Sequence, residues 1–220
     1  MPIQVQGNGG VTAEVDGSVY RALRITNRPL DYGSFGHYRL ATTVALVVSQ
    51  AANGTLFSFR WGDATRLAVL LGLRLKLIQT AAATATITPR FQVFIARSFT
   101  VADSAGTAIT LTGNNMKKRT SGMGTTLVSD IRKSAVAAGL TAGTRTLDAE
   151  PILELGAQQT ITTVNQQQYV ADLDPDGAQH PTQVFAQNEG FIVRGPTIVF
   201  GVAGTADLMV DLTWAEVSAY

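Results

Sequence analysis

The stretch best equipped for chemistry is Asp172-Leu173-Asp174-Pro175-Asp176-Gly177. Three carboxylates two residues apart, followed by a glycine, resemble the start of a calcium loop. Hard cations want several oxygens, and the glycine permits the sharp bend between them. The full pattern asks for Glu at its twelfth position, where this chain has Gln183, and Pro175 stiffens the loop. Asp172, Asp174 and Asp176 are calcium candidates only against a simpler reading as a solvated acidic turn, and no cofactor is expected.

A second stretch, Gly113 to Arg119 followed by Gly122-Met123-Gly124-Thr125-Thr126, invites comparison with a phosphate-binding loop. The spacing is wrong, because a P-loop places glycine directly before Lys and Ser or Thr. Lys117-Lys118-Arg119 reads as a solvated turn or a contact with acidic neighbours. His37 and His180 are the two histidines, with no cysteine, so His-based metal chemistry and thiol chemistry have almost no material. No Gly-x-Ser-x-Gly elbow is present. Asp148 and Glu150 could pair as carboxylates, but spacing alone does not set the separation glycoside chemistry needs. An enzyme is not expected, and no catalytic residue is assigned.

The elements that would hold these residues are strands. In the run Ala206 to Val217, Leu208, Val210, Leu212 and Trp214 share one parity, while Asp207, Asp211 and Thr213 take the other. Period two with a charged opposite face predicts a strand buried on one side. With Gly190 to Phe200 and the glycines between, the segment predicts a terminal hairpin that needs another sheet to bury against. Residues 37–48 and 55–61 predict a second hairpin through Asn53-Gly54, a strong turn signal. Phe57, Phe59 and Trp61 face one way, so Trp61 and Trp214 belong in the core.

Further strands are expected at 19–25, 66–78, 83–88, 90–99, 108–111, 144–147, 152–155, 158–164 and 184–186. Residues 165–182 read as a polar loop. Leu127, Ile131, Ala135 and Ala138 recur at helical spacing, with Thr126 as cap and Gly139 as stop, and predict one helix. The expected fold is an all-β sandwich of jelly-roll type, with about ten strands and one short crossing helix. Residues 1–18 form an N-terminal arm or extended segment. Residues 19–220 form a single domain with a helix-containing insertion near 112–143.

Composition narrows the function. The 220 residues are 45% hydrophobic but only 15% charged, with net charge +1. Near-neutral charge gives direct nucleic-acid binding little help. No signal peptide or membrane span is expected, since polar residues interrupt the uncharged stretch 41–59. A surface of Thr, Ser, Asn, Gln and Ala costs less to desolvate than a charged one, and so suits packing against other chains.

Several segments carry a resemblance. They are Gly36 to Leu40, Leu56 to Trp61, Phe94 to Thr100, Leu111 to Asn115, Leu127 to Arg132, Ala142 to Asp148, Gln187 to Phe191 and Trp214 to Val217. Together they resemble uncharacterised structural proteins of tailed-bacteriophage virions, over roughly residues 19–217. The resemblance implies a virion component assembled in the host cytoplasm, of the capsid decoration or cement kind. It implies partners in the major capsid protein or other virion proteins and in copies of itself, as a homotrimer. It transfers no active-site residue. The alternatives are a tail, baseplate or head-tail connector component, or a carbohydrate-binding receptor-recognition module.

Overall fold

The computed structural model describes residues 5–6, 12–13, 35–111, 116–118, 123–158, 169–173, 183–199 and 205–218. Two short strands, β1 (Val5–Gln6) and β2 (Thr12–Ala13), pair with each other. The expected strand at 19–25 lies outside the described residues.

Two sheets make the body. The first contains β3 (Gly36–Leu46), β5 (Leu67–Ala81), β11 (Tyr169–Leu173), β12 (Gln183–Phe185) and β14 (Thr205–Val217). Its order is β11-β5-β14-β3, with β12 continuing beside β5. The second contains β4 (Thr55–Trp61), β6 (Arg90–Phe99), β7 (Thr107–Ala108), β8 (Val128–Lys133), β9 (Arg145–Leu147), β10 (Leu153–Gly156) and β13 (Gly190–Arg194). Its order is β10-β6-β13-β4-β8-β7, with β9 also on β6. Every pairing is antiparallel, and neither sheet closes into a barrel.

Alternation explains which faces meet. Tyr38, Leu40, Val44, Leu73, Leu75, Leu77, Leu208, Val210, Leu212 and Trp214 cover the inner face of the five-stranded sheet. Phe57, Phe59, Trp61, Phe91, Val93, Ile95, Phe191 and Val193 cover the other. Aromatic rings knit the two layers. Phe59 stacks on Phe191 at 5.3 Å and meets Trp214 edge-on at 5.7 Å. A smaller cluster, Phe94, Ala96, Phe99 and Ile192, is buried apart from this core.

Several expectations are corrected. No helix occurs among the described residues. Leu127 and Ile131 are four apart, a spacing that a helix face and a strand parity share. Ile131 is buried opposite Phe59 in β8, whereas Ala135 and Ala138 are exposed in the turn that follows. Eight of the strands, β3-β14-β5-β11 in one sheet and β4-β13-β6-β10 in the other, follow the order of a jelly roll, to which β7, β8, β9 and β12 are added.

Neither predicted hairpin exists. β3 pairs with β14 while β4 pairs with β13 and β8, and β13 and β14 lie in different sheets. Asn53 does turn the chain, at φ 57°. The chain then crosses to the facing sheet, roughly 10 Å away, instead of returning to a neighbour at about 4.8 Å.

Residues 66–78 form a strand, as alternation predicts. Residues 83–88 do not, the 108–111 strand shifts to Thr107–Ala108, and Tyr169–Leu173 is a strand inside the expected polar loop. The strand expected at 158–164 lies almost wholly outside the described residues.

Candidate functional site

Among the described residues, none of the candidate chemical groups gathers into a site. Asp172 lies on the outer face of the five-stranded sheet, where its Oδ2 accepts from Arg74 Nε at 2.7 Å. Asp174, Asp176 and His180 lie outside the described residues. No group of three or more His, Cys, Asp or Glu side chains that could hold a metal occurs among the described residues. Around Arg74, the residues Gly72, Leu73, Asp172, Asp211 and Thr213 line a shallow groove of about 180 Å³. One of its two carboxylates is taken by the guanidinium.

Asp148 does not pair with Glu150. It binds Arg97 in a two-pronged contact at 2.8 and 2.7 Å, which lowers the carboxyl pKa. Lys118 uses its backbone, donating to the His37 carbonyl at 2.8 Å, in a short bridge of 116–118 to β3. Arg119 lies outside the described residues. Trp61 and Trp214 are fully buried, so neither forms an exposed sugar platform.

Two polar centres that sequence reasoning missed are buried. Glu216 continues the inward parity of Leu208 to Trp214, so its burial was readable from the period. Its Oε1 accepts from Thr126 Oγ1 at 2.6 Å and from the Leu127 N–H at 2.8 Å. Thr126, read as a helix cap, instead holds segment 123–127 to the end of β14. Tyr38 helps by donating to the Gly124 carbonyl at 2.9 Å and stacking on Trp214 at 5.5 Å. Burial and the nearby Glu216 charge push the Tyr38 pKa up to about 12.

Burial also raises the Glu216 pKa above its ordinary 4.5, with the Thr126 and Leu127 donors and Arg66 opposing. The native state therefore holds its proton to higher pH than the unfolded chain does. This group's contribution to stability is complete below about pH 4.5 and is lost as pH rises through the folded pKa. Glu216→Gln should match the wild-type melting temperature in acid and exceed it at neutral pH. Paired thermal melts from pH 4 to 8 read this directly. A variant less stable than wild type at neutral pH would contradict it.

The second centre is the pair Arg145 and Asp103, with side chains only 9% and 0% exposed. Asp103 Oδ1 also accepts from the Gly143 N–H at 2.8 Å, and Arg145 donates to Thr55 Oγ1 at 2.8 Å. Desolvation lowers the Arg145 pKa, against the opposing pull of Asp103. The pair ties the segment after β6 to the start of β9.

The surface most suited to a partner is one end of the sandwich. Among the described residues, the four stretches 47–54, 81–89, 134–140 and 195–199 meet there, with the Ala157 N–H donating to the Pro89 carbonyl beside them at 3.1 Å. Backbone bonds join them in series. Ala51 N–H donates to the Ala137 carbonyl at 2.7 Å, and Asn53 N–H to the Pro196 carbonyl at 2.7 Å. Thr197 N–H donates to the Arg90 carbonyl at 3.0 Å, beside the end of 81–89. Buried Gln50 adds Nε2 to the Ala137 carbonyl at 2.6 Å.

These four connections contain no Asp, Glu, Lys, Arg or His. Val48, Val136, Ile198 and Val199 stand out from them with exposures of 41 to 57%. The opposite end differs, carrying Asp63, Arg66 and Glu189 in its turns. Exposed aliphatics on a rigid, charge-free platform lose little on desolvation.

No protein-family model, curated protein or solved structure matches this chain.

Proposed function

We propose that this chain is a structural protein of a tailed-bacteriophage virion, a decoration or cement protein that stabilises the capsid through subunit contacts. The observation that carries the proposal is the uncharged loop end. Four connections free of ionisable groups, held by backbone bonds and bearing exposed aliphatics, form a surface suited to burial against protein. The sequence resemblance to virion structural proteins supplies the setting, and with it the major capsid protein and further copies of the chain, as a trimer, as partners. The two-sheet body suits the role because its aromatic core makes it stiff.

Cryo-electron microscopy of the native particle tests this. The expected result is density for the two-sheet body at repeated positions on the capsid. Its absence from the particle would overturn the proposal. Density confined to the tail, baseplate or connector would replace it with the tail-component alternative.

A further inference from the structure

We propose that Glu216 is a proton-operated catch for the strap 123–127. Protonated, it holds the strap on the ends of β3 and β14. Ionised, it lets the strap open while both sheets stay whole. Nothing in this depends on the virion role proposed above.

Residues 123–127 lie outside every strand, so side chains hold them. Thr126 Oγ1 and the Leu127 N–H both donate to Glu216 Oε1, at 2.6 and 2.8 Å. Tyr38 Oη donates to the Gly124 carbonyl at 2.9 Å, and the Trp214 indole N–H to Thr126 Oγ1 at 3.3 Å. The His37 N–H meets Met123 Sδ at 3.1 Å. Gly124 and Thr125 are exposed, while Met123, Thr126 and Leu127 are half-buried. In contrast, β14 is bonded along both edges, to β3 and to β5. Releasing the strap breaks no sheet pairing, so it opens at lower free energy than the body unfolds.

The second carboxylate oxygen makes this tie depend on a proton. Glu216 is 0% exposed, and its Oε2 has no hydrogen-bond partner. A neutral carboxyl leaves Oε1 able to accept both donors and buries no charge. An ionised one buries unpaired charge on Oε2, which costs more. Water relieves that cost once the strap lifts.

The neighbouring groups do not supply a partner. Arg66, in the turn between β4 and β5, lies near enough to favour ionisation, but its guanidinium sits over the Phe35 ring at 4.1 Å. Asp63 in the same turn accepts from the Thr65 and Arg66 N–H groups. The Tyr38 hydroxyl, pushed up to about 12, stays neutral. Ala68 stands opposite on β5, and Met123 to Leu127 carry no ionisable group. The 116–118 bridge brings Lys117 and Lys118 to β3 beside His37 and Tyr38. His37 is of a type whose charge changes between about pH 5 and 8, and it is retained in a Glu216 variant.

Burial raises the Glu216 pKa above its ordinary 4.5. The strap is therefore held most firmly below about pH 4.5, and its closure weakens as pH rises through the folded value.

The test is residue-level amide hydrogen exchange on the full chain, corrected for the pH dependence of intrinsic exchange. In wild type the Leu127 N–H should exchange ahead of the β14 amide of Leu212 at every pH. Its protection should fall about tenfold between about pH 4.5 and pH 7.5, the scale of one buried polar group left unpaired. Glu216→Gln keeps an acceptor oxygen without the charge and should abolish that fall. Thr126→Val removes one donor and should lower Leu127 protection about fivefold in acid, the scale of one hydrogen bond. Leu127 exchanging only together with Leu212 would show that the strap does not open by itself. A fall that persists in Glu216→Gln would belong to His37. Either result, or constant Leu127 protection in wild type across this range, overturns the inference.

Discussion

Asp103→Ala should destabilise the protein by about 3–5 kcal/mol, the usual result of removing one partner from a buried ion pair. The side chain is fully buried, and its loss strands Arg145 with no countercharge at hand. Arg194 lies close enough to disfavour the Arg145 charge further. The Gly143 N–H loses its acceptor as well. The double variant Asp103→Ala/Arg145→Met removes both charges, and should recover a large part of the loss, because an apolar replacement avoids the desolvation of two ions. Urea unfolding of the single and double variants measures both effects. A single variant within about 0.5 kcal/mol of wild type, the range of ordinary surface substitutions, would show that the pair does not hold these segments.

Phe59→Ala should cost about 3–5 kcal/mol, the range for truncating a buried Phe. Phe59 is fully buried and touches rings from both sheets. Phe191 lies at 5.3 Å, Trp214 at 5.7 Å and Phe185 at 6.0 Å. Truncation removes apolar area and opens a cavity between layers that cannot fully collapse, since each sheet is held by its own ladder. Trp214 should report the change, because its indole loses an edge-on neighbour. Urea unfolding followed by tryptophan emission gives both readouts. Val170→Ala is the comparison. That side chain is half exposed and should shift stability by no more than about 0.5 kcal/mol. Equal losses in the two variants would mean that the Phe59 contacts are not the principal tie between the sheets.

Local chemistry was legible wherever local chemistry decides. The alternation in 206–214 and 73–77 marked strands and their inward faces, and Leu73, Leu75, Leu77, Leu208, Val210, Leu212 and Trp214 are buried, whereas the register shift opposite Trp214 leaves Leu71 only partly so. Trp61 and Trp214 fell in the core as their parity required. The same parity placed Glu216 inward, a signal present in the sequence and overlooked because a carboxylate was not expected there. At 127–138 a spacing of four favoured a helix. Only the partners Phe59 and Ile109 distinguish it from a strand, since Ile131 lies opposite the first and accepts the N–H of the second. The burial of Asp103 was not legible, because its partner Arg145 lies 42 residues away and nothing nearby announces it.

By itself the amino-acid sequence determined that this protein is built of strands, which face of many of them is apolar, and that little of its surface is charged. Tertiary structure decided which sheet each strand joins, so that Asn53-Gly54 leads from β3 across to β4 and β13 parts from β14. It also brought four uncharged connections to one end of the body. The reason is one of range. Side-chain period and turn residues act over a few positions, whereas sheet membership and the meeting of loops follow from burying both apolar layers together.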